Sequence, residues 1–145
     1  MVLWSAPPYY LYKINTDASL DLHSGWSGVS IVIRNHAGLV LASSVQRLGV
    51  GFSVLVVEIM AILKGLQFAV ESGLVPVVLK SDSSLAVSAI NGDTVFLSEV
   101  GLIIHDVVEL LRSIPSSAVR FVPRSANMAA HYLARFALRL DSDCF

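Results

Sequence analysis

Cysteine is almost absent from this sequence: the 145 residues contain one, Cys144, next to the C-terminus. A single thiol excludes a framework of internal disulfides and a zinc site built from several cysteines. The first ten residues, MVLWSAPPYY, lack a basic start followed by an apolar core, so we expect no signal peptide. These absences together predict an intracellular protein.

Charged residues are also scarce, at 14% of the chain with a net charge of −1, against about 25% charged residues in an ordinary domain. This composition argues against strong nucleic-acid binding through a basic surface alone. The longest apolar stretch, SVLVVEIMAILKGLQFAV, is interrupted by Glu58 and Lys64, so we predict no membrane span. The 54% hydrophobic content indicates a large buried sheet, or an interface hidden in a longer parent protein.

The chain length fits one domain with a full core. Pro7 and Pro8 mark residues 1–10 as a lead-in or linker. We predict a single domain over residues 11–140 and a short C-terminal tail over residues 141–145.

The segment LYKINTDAS alternates between two faces, which predicts a strand with Asp17 at its end. Two further strand-like segments follow after short turns, GWSGVSIVIRN and LVLASSVQRLG, which predicts an antiparallel meander. Ser53 begins a helix, PVVLKSD is a fourth strand, two helices follow (the second from Ser98), and AVRFVPRS is a fifth strand before a last helix. The two later strands need crossover connections and can pair in parallel. The sequence therefore predicts an α/β fold with one mixed five-stranded sheet and helices packed on it.

Three acidic residues occupy positions suited to a metal site. Asp17 and Asp82 end the first and fourth strands, and Glu58 lies on the helix between them. If the two strands are neighbours, their carboxylates meet at one sheet end and can bind Mg²⁺ or Mn²⁺. Each acid also has a simpler interpretation: a turn residue for Asp17, a surface charge for Glu58, and a helix N-cap for Asp82.

Four segments taken in order resemble a known family: KINTDAS, VVEIMAILKGLQFA, LKSDSSLAVSAING and VRFVPRSANMAAHYLARFAL. They are similar to the ribonuclease H superfamily, specifically the plant ribonuclease H-like domain of reverse-transcriptase-related proteins of the non-LTR retrotransposon type. The resemblance covers roughly residues 4–140. It implies a ribonuclease H-like mixed sheet with helices on both faces. It also implies partners: an RNA–DNA hybrid, and flanking domains of a longer polyprotein.

The resemblance further implies roles for single residues. Asp17, Glu58 and Asp82 match three carboxylates that bind two divalent ions and cleave the RNA strand of a hybrid. The family's fourth carboxylate position is His131, four residues after Asn127, so the chain departs from the pattern there. Histidine can move protons near neutral pH. The alternative is a half-buried residue that fills space beside the site.

We expect the hybrid to contact a second set of residues around this site: Ala18, Ser19, Ser83, Arg124 and Asn127. Ala18 and Ser19 replace a glycine-rich family segment, and no basic insertion interrupts the helices, so affinity for the hybrid should be weak without neighbouring domains. Arg124 suits a phosphate, although a solvated surface arginine is the alternative. The rival function is a catalytically weak or inactive module that binds nucleic acid or protein.

Overall fold

The structure is a computed structural model that describes residues 1–92 and 99–139. Its elements follow the predicted order: β1 (Tyr12–Leu20), β2 (Trp26–Arg34), β3 (Val40–Val50), α1 (Val54–Glu71), β4 (Val77–Ser81), α2 (Ser84–Ile90), α3 (Glu99–Arg112), β5 (Ala118–Phe121), a 3₁₀ turn (Arg124–Ala126) and α4 (Met128–Ala137). Ser53 caps α1 as predicted, because its Oγ accepts a hydrogen bond from the Val56 N–H at 3.2 Å. The predicted start at Ser98 and the tail over residues 141–145 lie outside the described residues.

The five strands form one sheet in the order β3-β2-β1-β4-β5. The pairs β1–β2 and β2–β3 are antiparallel, whereas β4 runs parallel to β1 and β5 runs parallel to β4. The predicted three-strand meander with two parallel strands is therefore confirmed. β1 is the central strand, so a side chain at its end lies between the antiparallel pair β2–β3 and the parallel pair β4–β5.

The predicted end of β1 at Asp17 is wrong, because the strand continues to Leu20. Asp17 lies opposite Ser30 within the ladder to β2, and that ladder continues past it. On the other side, pairing with β4 ends at Thr16 and Ser81. The alternation of a single strand cannot reveal that its two neighbours have different lengths. Asp17 is thus the first residue of β1 beyond the end of β4.

Helices cover both faces of the sheet, as expected. On one face α1 approaches β1 closely at Gly65, where an added Cβ would lie 2.8 Å from Thr16 Cγ2. α2 and α3 pack on the same side against α1. The core between these layers is aliphatic, and its largest fully buried side chains are those of Ile14, Ile33, Ile59, Ile62, Leu66 and Leu79. α4 packs on the opposite face over β1 and β2, where the Ser30 hydroxyl donates to the carbonyl of Ala130.

Gly28 is the closest approach of β2 to α4. A Cβ at this position would lie 2.5 Å from the Ala134 carbonyl oxygen and 2.8 Å from Ala137 Cβ. We expect Gly28→Ala to lower the free energy of unfolding by about 3 kcal/mol, the upper part of the usual cost of overpacking, because α4 itself must move. Urea denaturation measures the loss. Gly49→Ala is the matched control, since its added Cβ would meet the Phe52 ring at an ordinary 3.8 Å; equal stability of the two variants would contradict the prediction.

The segment over residues 1–10 contains no helix or strand, but it is docked against the sheet. The Trp4 indole Nε1–H donates to Asn15 Oδ1 at 2.9 Å, and Lys13 Nζ donates to the Ser5 carbonyl at 2.7 Å. The Arg34 guanidinium lies over the Trp4 ring, 4.8 Å from its centre. Among the described helices, none has the length and apolar content needed to cross a membrane.

Candidate metal centre

Asp17 is completely buried at the point where β1 extends beyond the end of β4. One carboxylate oxygen, Oδ2, lies 2.9 Å from His131 Nδ1 on α4. The other oxygen, Oδ1, has no hydrogen-bond partner among the described residues. The turn-residue interpretation of Asp17 is therefore wrong, and His131 lies directly beside the first predicted ligand.

Glu58 is also buried, with 4% of its surface exposed, so the interpretation as a surface charge is wrong. Its neighbours in α1, Val57 and Ile59, are core residues. Glu58 is buried with them because this turn of the helix packs against the end of the sheet. Glu58 Oε1 accepts a hydrogen bond from the Ala18 backbone N–H at 3.1 Å. Its second oxygen, Oε2, has no partner within the part of the chain that the structure describes.

Asp82 immediately follows β4 and directs its carboxylate toward the same point. Its side chain is 4% exposed, and Oδ2 accepts a hydrogen bond from Arg124 Nε at 3.1 Å. Asp82 is not the N-cap of α2. That position belongs to Ser83, whose Oγ accepts from the Ala86 N–H at 3.3 Å. The predicted position of Asp82 at the carboxyl end of the fourth strand is confirmed.

The three carboxylates converge: one oxygen from each of Asp17, Glu58 and Asp82 lies within 4.8 Å of the others. Burial, and then the neighbouring Asp17 and Asp82 charges, raise the pKa of Glu58 to about 9. Burial, and then the Asp82 charge, also raise the pKa of Asp17, although the nearby Ala18 N–H and the contact with His131 oppose this. Without a cation the cluster therefore holds a proton on Glu58 at neutral pH.

A divalent cation fits this donor set. Two buried carboxylate oxygens, Asp17 Oδ1 and Glu58 Oε2, lack a protein partner among the described residues, and unsatisfied buried oxygens are costly. Carboxylate oxygens are the ligands that hard divalent ions prefer. Asp17, Glu58 and Asp82 would hold the ion, as the sequence predicts. His131 would lie next to the ligands.

Asn127 lies inside the protein, with 1% of its surface exposed, and both polar atoms of its side chain are hydrogen-bonded there. Its Nδ2 donates to the Thr16 carbonyl at 2.9 Å, and its Oδ1 accepts from Asn15 Nδ2 at 2.8 Å. The Asn127 carbonyl accepts from the His131 N–H at 3.0 Å, within the first turn of α4. Asn127 therefore fastens the start of α4 to β1 and places His131 opposite Asp17.

Asn15 is a site-building residue that the sequence interpretation missed. It links Asn127 on one side to the Trp4 indole on the other. A signal was present, because alternation along β1 puts Asn15 on the same face as Asp17. A buried asparagine two residues before a buried aspartate indicates a polar partner from a distant element.

The other predicted nucleic-acid contacts surround the cluster. The Ala18 N–H is taken by Glu58, Ser19 is half-buried on β1, and Ser83 caps α2. The Arg124 side chain is 56% exposed, but it is paired with Asp82 rather than simply solvated. The hydrogen bond to Asp82 raises the pKa of Arg124, although burial of the guanidinium opposes this. Contact between these residues and a nucleic acid stays a prediction.

Comparison with protein families agrees with this geometry. A family model described as reverse transcriptase-like matches residues 15–137, which include all three acids, Asn127 and His131. Comparison with curated protein sequences gave no significant match.

Solved structures of similar shape include several ribonucleases H. Ribonuclease H1 from the halophilic archaeon Halobacterium salinarum NRC-1 superposes with a TM-score of 0.83 at 22% identity, covering 89% of this chain and 98% of that one. The N-terminal ribonuclease H domain of Rv2228c from Mycobacterium tuberculosis gives 0.81 at 25% identity, covering 90% and 94%. LC11-RNase H1, solved in complex with an RNA/DNA hybrid, gives 0.80 at 23% identity, covering 88% and 96%. The fold is that of ribonuclease H.

Proposed function

Because the chain belongs to the reverse transcriptase-like family, we propose that it is a ribonuclease H-type endonuclease that hydrolyses the RNA strand of RNA–DNA hybrids. The observation that carries this proposal is the convergence of Asp17, Glu58 and Asp82 within 4.8 Å on a ribonuclease H fold. A similar fold solved with an RNA/DNA hybrid supports the choice of substrate.

Two Mg²⁺ or Mn²⁺ ions, when bound, would supply Lewis-acid activation of a water molecule and neutralise charge at the scissile phosphate. The protein's part is to hold the ligands in place. Asp17 and Asp82 each follow the last residue pair of the β1–β4 ladder, and Glu58 is fixed by the Ala18 N–H. Glu58 must lose its proton to act as a ligand, so metal binding releases a proton near neutral pH.

His131 has a separate role beside the carboxylates. Its Nδ1 lies 2.9 Å from Asp17 Oδ2, which orients the ring and leaves Nε2 to exchange a proton with solvent or substrate. The His131 side chain is 16% exposed, so the ring reaches the surface at the site. We propose that His131 orients Asp17 and transfers protons during turnover.

The proposal is tested by incubating the protein with an RNA–DNA hybrid whose RNA strand is labelled. Internal cuts in the RNA are expected with Mg²⁺ or Mn²⁺ and not with EDTA. The same label in an RNA–RNA duplex, and a labelled DNA–DNA duplex, should remain intact. Equal cutting of all three duplexes, or cutting that persists in EDTA, is incompatible with the proposed activity.

The His131 role predicts a loss of activity together with a change in pH dependence. We expect His131→Asn to lower kcat by about 10–100-fold, the lower range for a group that transfers protons, and to remove one limb of the pH–rate profile. Asparagine is smaller than histidine but keeps an N–H donor close to the position of Nδ1, so it can still bond to Asp17. A residue that only orients Asp17 would tolerate the change. His105→Asn on α3 is the control. An unchanged pH profile in His131→Asn would show that the imidazole transfers no proton.

The rival function, a weak or inactive binding module, has one observation in its favour. The cluster is partly compensated without metal, because Arg124 pairs with Asp82, His131 lies on Asp17, and Glu58 keeps a proton. Titration with Mg²⁺ or Mn²⁺, followed by backbone amide NMR shifts, separates the two functions. Site-localised shifts at Ala18 and Asp82 with millimolar affinity support the nuclease. Shifts no larger than those of remote amides support the binding module.

A further inference from the structure

The outward face of α4 carries a groove that the acid cluster does not use. Side chains from this face and from the end of β1 enclose about 590 Å³: Asp21, Tyr132, Arg135, Phe136, Leu138 and Arg139. The opposite face of the helix, formed by Ala130, Ala134 and Ala137, is buried against the sheet. The groove starts at Tyr132, the residue after His131, and so begins beside the metal centre.

Aromatic and cationic side chains alternate along this face. Tyr132 and Phe136 are one helical turn apart and are 62% and 50% exposed. Arg135 and Arg139 form a second pair one turn apart and are also exposed. Neither arginine makes an ion pair with another described residue. Asp21 is the one acid lining the groove in the described chain, and its Oδ1 is held by the His23 N–H at 3.0 Å.

We propose that this α4 groove, lined by Tyr132, Arg135, Phe136 and Arg139, binds a single-stranded nucleic acid. Two exposed rings at one-turn spacing offer stacking surfaces for bases, which all have a π-face. The two guanidiniums, which form no ion pair within the described part of the chain, offer bidentate donors to phosphates. A protein partner would have to bring carboxylates for both arginines, because Asp21 is the one acid among the described residues that line the groove. Charge complementarity therefore favours a polyanion with stackable bases.

A second arginine–aromatic pair, Arg47 and Trp26, lies next to the groove. The Arg47 guanidinium lies 4.2 Å above the centre of the Trp26 ring, which is 37% exposed. Arg47 is opposite Gly28, the residue that α4 covers, so this pair lies on the α4 face of the sheet. Trp26 accepts the Asp21 N–H at its carbonyl, which places it at the edge of the groove. A nucleic-acid strand that extends beyond the groove would therefore meet a second arginine and aromatic ring, Arg47 and Trp26.

Binding of a fluorescein-labelled oligodeoxythymidylate, followed by anisotropy in EDTA, tests the proposal. We expect Tyr132→Ala and Phe136→Ala each to weaken binding at least about fivefold, the lower end of the stacking contribution of one base. Arg135→Gln and Arg139→Gln should each reduce the slope of log K against log salt by about 0.7. The assay contains no hybrid and no divalent ion, so its result does not depend on whether the proposed cleavage occurs.

Matched controls come from α3, where Leu102 is 70% exposed and Arg112 is paired with Glu109. Leu102→Ala and Arg112→Gln should bind like the unaltered protein, and circular dichroism should show all variants folded. The proposal is overturned if the groove variants bind as tightly as these controls. It is also overturned if sedimentation shows a dimer that Tyr132→Ala or Phe136→Ala dissociates, because the groove would then bind a second copy of the chain.

Discussion

Asp17→Asn is expected to reduce cleavage of the RNA–DNA hybrid by about a thousandfold or more. Asp17 provides the only fully buried carboxylate among the described ligands, with one oxygen on His131 and the other available to a cation. Asparagine keeps the shape but removes the charge and one ligand oxygen. Removing one member of a buried group of charges typically costs about 4 kcal/mol. The same loss of transition-state stabilisation corresponds to about a thousandfold in rate.

The measurement is the initial rate of RNA cutting at saturating Mg²⁺, with enzyme in excess so that traces of contaminating nuclease are visible. Asp106→Asn is the matched control, because Asp106 is an exposed carboxylate on α3. Asp17→Asn should be no less stable than the unaltered protein without metal, since the substitution removes repulsion from Glu58 and Asp82. Equal rates for Asp17→Asn and Asp106→Asn would refute the catalytic role of the cluster.

Glu58→Gln is expected to stabilise the metal-free protein while abolishing its response to Mg²⁺. The pKa of Glu58 is about 9 in the folded protein against an ordinary value of 4.5. Between these pH values the unfolded chain has lost the proton and the folded chain has kept it. A raised pKa therefore gives stability that is complete below about pH 4.5 and is lost as pH rises toward 9. Glutamine has no proton to lose, so the variant escapes this penalty.

Thermal denaturation in EDTA across this pH range measures the effect. We expect the Tm of Glu58→Gln to match the unaltered protein at the acid end and to exceed it by about 5 °C near pH 8. Added Mg²⁺ should raise the Tm of the unaltered protein and leave that of Glu58→Gln unchanged. Glu71→Gln, an exposed residue at the end of α1, is the control. Parallel pH curves for Glu58→Gln and the unaltered protein would contradict a buried, protonated Glu58.

The sequence predicts the elements of this fold because each depends on a local pattern. Alternation defines β1, and β-branched apolar composition defines β2. Helical periodicity and Ser53 define α1, and the crossovers allow β4 and β5 to pair in parallel, as they do. The end of β1 was misplaced because strand length depends on two neighbours at once. Pairing with β2 carries β1 on to Leu20, whereas pairing with β4 stops at Thr16.

For the metal centre too, features that depend on a local pattern are predictable from the sequence and long-range contacts are not. The positions of Asp17 and Asp82 near strand ends, with Glu58 on the connecting helix, predict that the acids meet only if the two strands are neighbours. The family resemblance implies the full set of three ligands. Their partners were not predictable from spacing. Asn15 and Asn127 are 112 residues apart in sequence, and Arg124 is 42 residues from Asp82. Such side-chain pairs depend on how α4 and the preceding turn pack across the sheet. That arrangement cannot be predicted from any one segment of the sequence.

The shortness of β4 has a chemical consequence. Because β4 stops at Ser81, the edge of β1 beyond Thr16 offers its main-chain hydrogen-bond donors to something other than a strand. The Ala18 N–H points into this notch and meets Glu58 Oε1 there. One further rung of sheet would occupy that donor and displace the glutamate, so a truncated ladder is what leaves room for three acids to gather.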